Sequence, residues 1–233
     1  MLVAIVWAPH TYAYNHNVAL QAWADVAKVE RQHSIPQGLL HAMSLAESGK
    51  SLEGQLLPWP FTVGVNPTRN YHLSDAKTAL AKLAHLEEIG FSRFNVQVNG
   101  KTRHRLSAQA ARKRIKAVQG SVKLRGLHFA RRFADHAAAT RFAEEKVALG
   151  YDNLDLGLMQ INWHWHKGAF TDLAEALDVQ VNAAYAVKYL KKHRATRNWW
   201  DSVGRYHSGT PVHAKRYIQR VYAMYQKIHR LNT

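Results

Sequence analysis

The apolar positions of the chain fall mostly at helical spacing. Val18, Ala19, Ala22, Trp23, Val26 and Val29 share one face of residues 15–32, with polar residues opposite, and predict an amphipathic helix. Ser34-Ile35-Pro36 then reads as a start signal, with Ser as N-cap and Pro in the first turn of a helix over residues 36–48. Ser74-Asp75 caps another that stops near Gly90, with Leu80, Leu83 and Ala84 inward. Ala108, Ala111, Ile115 and Val118 form a further stripe, and residues 135–149 another helical run. In the last third, helices are expected over residues 181–192, around Trp199-Trp200, and from Thr210-Pro211 onward, where Tyr217, Val221, Met224, Tyr225 and Ile228 face inward. Two stretches break the pattern. Residues 56–67 carry prolines with Phe61, Val63 and Val65 in alternation, and residues 94–100 alternate and end in a turn, so both read as short extended arms. The expectation is a mainly α protein with a small β-hairpin region and a basic, mostly helical insertion over about residues 91–150.

Charge changes this picture more than composition does. The 233 residues suit one large domain or two small ones, and a single domain is set here at residues 14–233. A formal net charge of +16 points to an anionic partner, whether nucleic acid, lipid head groups or an acidic wall polymer. Residues 101–132 hold many bases, among them Lys101, Arg103, Arg105, Arg112, Lys113, Arg114 and Lys116, and not one acid. This segment reads either as a polyanion-binding surface or as a solvated basic face. With no cysteine, disulfides, thiolate metal sites and Cys nucleophiles are excluded. No apolar run approaches the roughly 18–20 residues of a membrane span. Residues 1–13 are apolar at first, lack a basic n-region and end in Thr11-Tyr12-Ala13, and read equally as the remnant of an export signal or as a plain apolar tail.

One acid stands out. Leu40, Met43 and Glu47 fall at i, i+3 and i+7, on one helical face. A carboxyl group against apolar walls has its charged form disfavoured, so its pKa rises and it can serve as a general acid near neutrality. The same residue also reads as a surface Glu near a helix end closed by Gly49 as C-cap.

Three separated motifs bear on that choice: Glu47-Ser48-Gly49, then Gly157-Leu158-Met159-Gln160-Ile161-Asn162, then Arg205-Tyr206-His207-Ser208-Gly209. In this order they resemble the soluble lytic transglycosylases of the goose-lysozyme-like clan. Leu57-Pro58-Trp59-Pro60-Phe61-Thr62-Val63 and Asn153-Leu154-Asp155-Leu156-Gly157 are similar to the branch found among conjugation, secretion and integrative-element proteins. The resemblance implies a lysozyme-like α-helical catalytic domain that needs no cofactor or metal. It implies cleavage of the MurNAc–GlcNAc β-1,4 bond of peptidoglycan with formation of 1,6-anhydro-MurNAc, in the periplasm, for local wall opening by a conjugation or secretion system. Glu47 would protonate the glycosidic oxygen and then accept the C6 hydroxyl proton, a substrate-assisted departure from the two-carboxylate scheme. Tyr206 would bond the Glu47 carboxyl, Gln160 and Asn162 would line the saccharide subsites, Met159 would pack beside the acid, and Ser48 would assist at the acetamido group. His207 stands where the family has an amide and introduces a ring that titrates near neutrality.

Two other functions compete. A lysozyme-type muramidase needs a water positioned by further carboxylates. A non-catalytic wall- or nucleic-acid-binding assembly factor would use the basic segment 101–132. Met159 and Tyr206 taken alone would be packing residues. His164-Trp165-His166 lacks a third metal ligand, and Trp59, Trp163, Trp165, Trp199 and Trp200 offer either sugar-stacking faces or core.

Overall fold

A computed structural model describes residues 15–231; the N-terminal stretch read as signal or tail lies outside the described residues. The Asn15 side chain accepts from Asn17 N–H and caps α1 (His16–His33), whose last turn closes on Ser34 in the left-handed region (φ 51°). Ser34 therefore ends one helix and does not begin the next. α2 (Leu39–Ser48) starts after Gly38 (φ 81°), and the carboxylate of Glu30 accepts from the N–H groups of Gly38 (3.0 Å), Leu40 (2.7 Å) and His41 (3.1 Å). Helix starts leave N–H groups without intrahelical partners, and here a buried acid from α1 takes that role in place of a serine cap.

The chain continues through β1 (Gly49–Leu52), β2 (Gln55–Pro58), β3 (Thr62–Val65), β4 (Tyr71–Leu73), α3 (Ala76–Ile89), β5 (Arg93–Val98), β6 (Lys101–Ser107), α4 (Ala108–Lys116), β7 (Val122–Gly126), β8 (Phe129–Arg132) and α5 (His136–Ala148). It then forms β9 (Leu154–Leu156), β10 (Ile161–Asn162), α6 (Trp163–His166), a 3₁₀ turn at Lys167–Ala169, α7 (Leu173–Leu177), α8 (Val179–Arg194), α9 (Trp199–His207) and α10 (Pro211–Leu231). Gly49 is not a left-handed cap but the first residue of β1, and a Cβ there would lie 2.3 Å from the Leu45 carbonyl oxygen. Glycine at this point lets a strand leave the helix without a break.

The mainly α, lysozyme-like expectation is corrected. The described residues are 56% helix and 19% strand, and the strands form three antiparallel sheets, ordered β1-β2, β10-β9-β3-β8 and β4-β7-β5-β6. The insertion is not mostly helical either. The stripe from Ala108 builds a nine-residue helix, and besides it and α5 the segment holds the four strands β5, β6, β7 and β8. In β7, Val122 and Leu124 face the core while Lys123 is exposed, so the alternation lies beneath a charge run. β6 is a sheet edge whose first five residues are exposed, which leaves no apolar period to read. The bases are accordingly divided: Lys101, Arg103 and Arg105 stand on β6, and Arg112, Lys113, Arg114 and Lys116 on α4, with Arg112 paired to Glu87 of α3.

Two apolar cores result. One packs Leu83, Leu86, Phe94, Val96, Ile115 and Leu124 against Val63, Val65, Leu154 and Leu156. The other gathers Leu40, Met43, Leu158, Met159, Val187 and Val221 from α2, α8, α10 and the turn after β9. Residues 154–159 thus run from one core into the other, and the site lies along that crossing. Among the described residues no helix is long and apolar enough to cross a membrane.

Candidate active site

The turn between β9 and β10 is held from beneath by one side chain. Asn182 of α8, fully buried, accepts from Met159 N–H (2.9 Å) and donates to the carbonyls of Leu156 (3.0 Å) and Ala176 (2.8 Å). Gly157 is left-handed (φ 75°), and a Cβ on it would fall 2.7 Å from the Asn182 amide, so the turn needs glycine for both shape and space. Ser48, also fully buried, sets its hydroxyl 2.9 Å from the Leu158 carbonyl and 3.2 Å from the Ser44 carbonyl. It fastens α2 to the turn and does not face the cleft.

Above the turn opens a cleft of about 460 Å³. Of the residues expected at a site, Glu47, Gln160, Asn162, Tyr206 and His207 line it together. Met159 is fully buried behind them and presents its carbonyl oxygen to the Tyr206 hydroxyl at 2.8 Å. Tyr206 therefore donates to the backbone of the turn, where the resemblance had it donating to the acid. Gln160 (φ 50°) donates to the carbonyls of Gly157 (2.7 Å) and Thr62 (3.2 Å), which ties the turn to β3.

Glu47 enters the cleft from the last turn of α2 with its pKa pushed up to about 7. Burial is the main cause, the Tyr217 hydroxyl and the Arg220 charge pull the other way, and the Asp155 charge adds to the rise. Tyr217 of α10 is buried, and its hydroxyl has no hydrogen-bond partner at ordinary distance and angle, although it acts on the Glu47 carboxyl beside it. The His207 ring stacks on Tyr217, centroids 4.4 Å apart and planes 7° from parallel, and the Arg220 guanidinium lies 5.2 Å from the same ring. Burial, with the charges of Arg220 and His213, holds the His207 pKa below its usual range. Burial and the nearby charges of Glu47 and Asp155 keep Tyr206 protonated.

A second carboxyl group shares the cleft. Asp155 is raised by burial, against hydrogen bonds from Asn162 and Asn66 and the charge of His128. Asn162 donates to Asp155 (2.8 Å) and to Asn153 (2.9 Å), and its own oxygen caps α6 by accepting from Trp165 N–H (3.3 Å). His164 is bound to Asp152 (2.8 Å) and His166 to the Tyr185 hydroxyl (2.9 Å), so the two imidazoles serve different partners.

Sequence reasoning passed over Tyr217, Asp155 and Asn182 as site residues. Each had a signal. Tyr217 carries the one hydroxyl near the head of an inward stripe, and Asp155 sits between Leu154 and Leu156, hence on the strand face opposite the core. Asn182 is a fully buried amide on the apolar face of a helix, a residue type placed there only when its bonds are satisfied. Searched against family models, curated proteins and solved structures, the chain matches none.

Proposed function

We propose that the chain is a peptidoglycan lytic transglycosylase, with Glu47 as its single acid and base. The observation that carries this reading is a carboxyl group near pKa 7, facing a cleft lined by Gln160, Asn162 and Tyr206. Near neutral pH such a group is divided between its two forms, as a residue must be that first donates and then accepts a proton. Protonated Glu47 donates to the glycosidic oxygen between MurNAc and GlcNAc. The substrate's own 2-acetamido group relieves the charge at C1, and the Glu47 carboxylate then takes the proton of the C6 hydroxyl as the 1,6-anhydro ring closes. The Tyr217 hydroxyl steadies the carboxylate stage, which agrees with its lowering effect on the Glu47 pKa. The proposed setting is the periplasmic wall, opened locally for a conjugation or secretion apparatus, and the net charge of +16 favours contact with anionic wall polymer.

One observation favours a second reading. Asp155 stands in the same cleft, its charge acts on Glu47, and a second carboxylate is what a muramidase needs to hold an attacking water. Digestion of purified sacculi, with products separated by mass spectrometry, decides between the two. Anhydro ends that vanish in Glu47→Gln support the transglycosylase, and reducing ends that vanish in Asp155→Asn support the hydrolase. If neither product forms with wild-type protein, both readings fail.

A further inference from the structure

Among the described tryptophans, one is out of keeping with the rest. Trp59 is fully buried, while Trp23, Trp163, Trp199 and Trp200 pack against the apolar cores. Trp165 is 75% exposed, far more than any other large apolar residue described, and it lines the same cleft as Glu47. Its place on the cleft wall, more than its exposure, marks it: an indole there offers a large apolar face to whatever the cleft binds.

Its mounting is rigid. Trp165 lies in the four-residue helix α6, whose N–H at this position is capped by Asn162, itself bound to Asp155 and Asn153. His164 and Lys167 on either side both bind the Asp152 carboxylate, at 2.8 and 3.0 Å. The indole meets the His164 ring edge-on, with centroids 4.7 Å apart. Next along the cleft, His166 packs on Tyr189 (4.9 Å) and Tyr189 on Tyr206 (5.7 Å). His166, the residue after Trp165, thus begins a row of rings that ends at the tyrosine holding the Met159 carbonyl.

We propose that Trp165 is the stacking platform of a sugar subsite, taking the apolar face of one pyranose ring of an N-acetylated glycan bound in the cleft. Indoles pair an apolar face with a polar edge, which suits a pyranose with its axial C–H groups on one side and hydroxyls at the rim. The amides of Asn66 and Asn153 in the same cleft belong to the chemistry that bonds hydroxyl and acetamido groups. A nucleobase would also stack on an indole, but the cleft is lined by two carboxyl groups and by no Lys or Arg that could take its phosphates. Because the mounting is already fixed, little side-chain freedom is lost on binding. The assignment rests on the reading of the cleft as a glycan site.

The test uses the full chain in the Glu47→Gln background, where ligand is bound and not consumed. Titration with chitotetraose, followed by calorimetry and by tryptophan fluorescence, is expected to show binding with a change in emission. Trp165→Ala is expected to weaken it by about tenfold, and Trp165→Phe by less. Circular dichroism and melting curves identify any variant that has lost its fold, and the Phe variant keeps a ring in place if the Ala variant has. Unchanged affinity in folded Trp165→Ala, no binding of chitotetraose at all, or a stronger Trp165-dependent response to a single-stranded oligonucleotide would each overturn the proposal. Failure of the catalytic reading shows separately, as absence of wall-derived products from the unmodified chain.

Discussion

The Tyr206 hydroxyl donates to the Met159 carbonyl at 2.8 Å, and the tyrosine whose hydroxyl acts on Glu47 is Tyr217, eleven residues further on. The two tyrosines divide the work, one holding the turn that carries Gln160 and the other tuning the acid. Tyr217→Phe removes a group that lowers the Glu47 pKa, so the alkaline limb of the pH–rate profile moves to higher pH. Tyr206→Phe loosens the turn instead, and is expected to lower the rate by about tenfold without moving that limb. Rate profiles on sacculi between pH 5 and 9 (a range of about four units around the acid) separate the two variants.

Glu47→Gln removes the acid and leaves the shape. Activity is expected to fall by roughly 10²–10⁴-fold, the usual contribution of a positioned acid–base group. Stability responds in a way that depends on pH. With its folded pKa raised from 4.5 to about 7, Glu47 contributes stability that is fully present below pH 4.5 and lost as pH rises through about 7. Melting temperature should decline more steeply across that window in wild type than in Glu47→Gln. Calorimetric scans at pH 5 and 8 (about one unit outside the folded value on the alkaline side) give the comparison.

Glu30 has the opposite sign. Burial alone would raise its pKa, but the His41 side chain and the N–H groups of Gly38 and His41 outweigh burial and hold it below 4.5. Its stabilisation is present above pH 4.5 and lost as pH falls through the lowered value. Glu30→Ala leaves buried N–H groups and takes the partner from His41 Nδ1, while His41 Nε2 keeps the Trp23 carbonyl, and should cost on the order of 3 kcal/mol in urea unfolding. A cost below about 1 kcal/mol would remove Glu30 from this role.

Asn182→Ala tests the support of the turn. It strands the Met159 N–H and the carbonyls of Leu156 and Ala176 in a dry site, at a cost of about 2–4 kcal/mol. Because the same turn carries Gln160, activity at temperatures well below unfolding should fall as well. Chemical denaturation and initial rates on the same preparation measure both effects.

The chain shows its helices plainly and its sheets poorly, for a physical reason. Apolar stripes at helical spacing placed α1, α3, α5, α8 and α10 within a few residues, because each buries one face against a core. β6 is exposed over its first five residues, and β8 sets two exposed residues between half-buried Phe129 and Arg132, so neither sequence carries a period-two signal. The start of α2 was misplaced because its cap is Glu30, a residue of the preceding helix that no local pattern can supply. At the site, the buried-face argument found Glu47 directly. Tyr217 and Asp155 were hidden because their importance lies in proximity across 170 and 108 positions, which spacing within an element does not encode.

The two four-stranded sheets also dictate an order of assembly. β7 lies between β4 and β5, and β3 takes its partners from β8 and β9, so strands made early stay unpaired until later residues arrive. Contacts of such long sequence separation are slow to form. During synthesis, the helix bearing Glu47 emerges well before the Gln160 turn and long before Tyr217 on the last helix. The Glu47 carboxyl therefore meets all the groups that act on its pKa, Asp155, Tyr217 and Arg220, only after a further 170 or more residues have been made and folded around it.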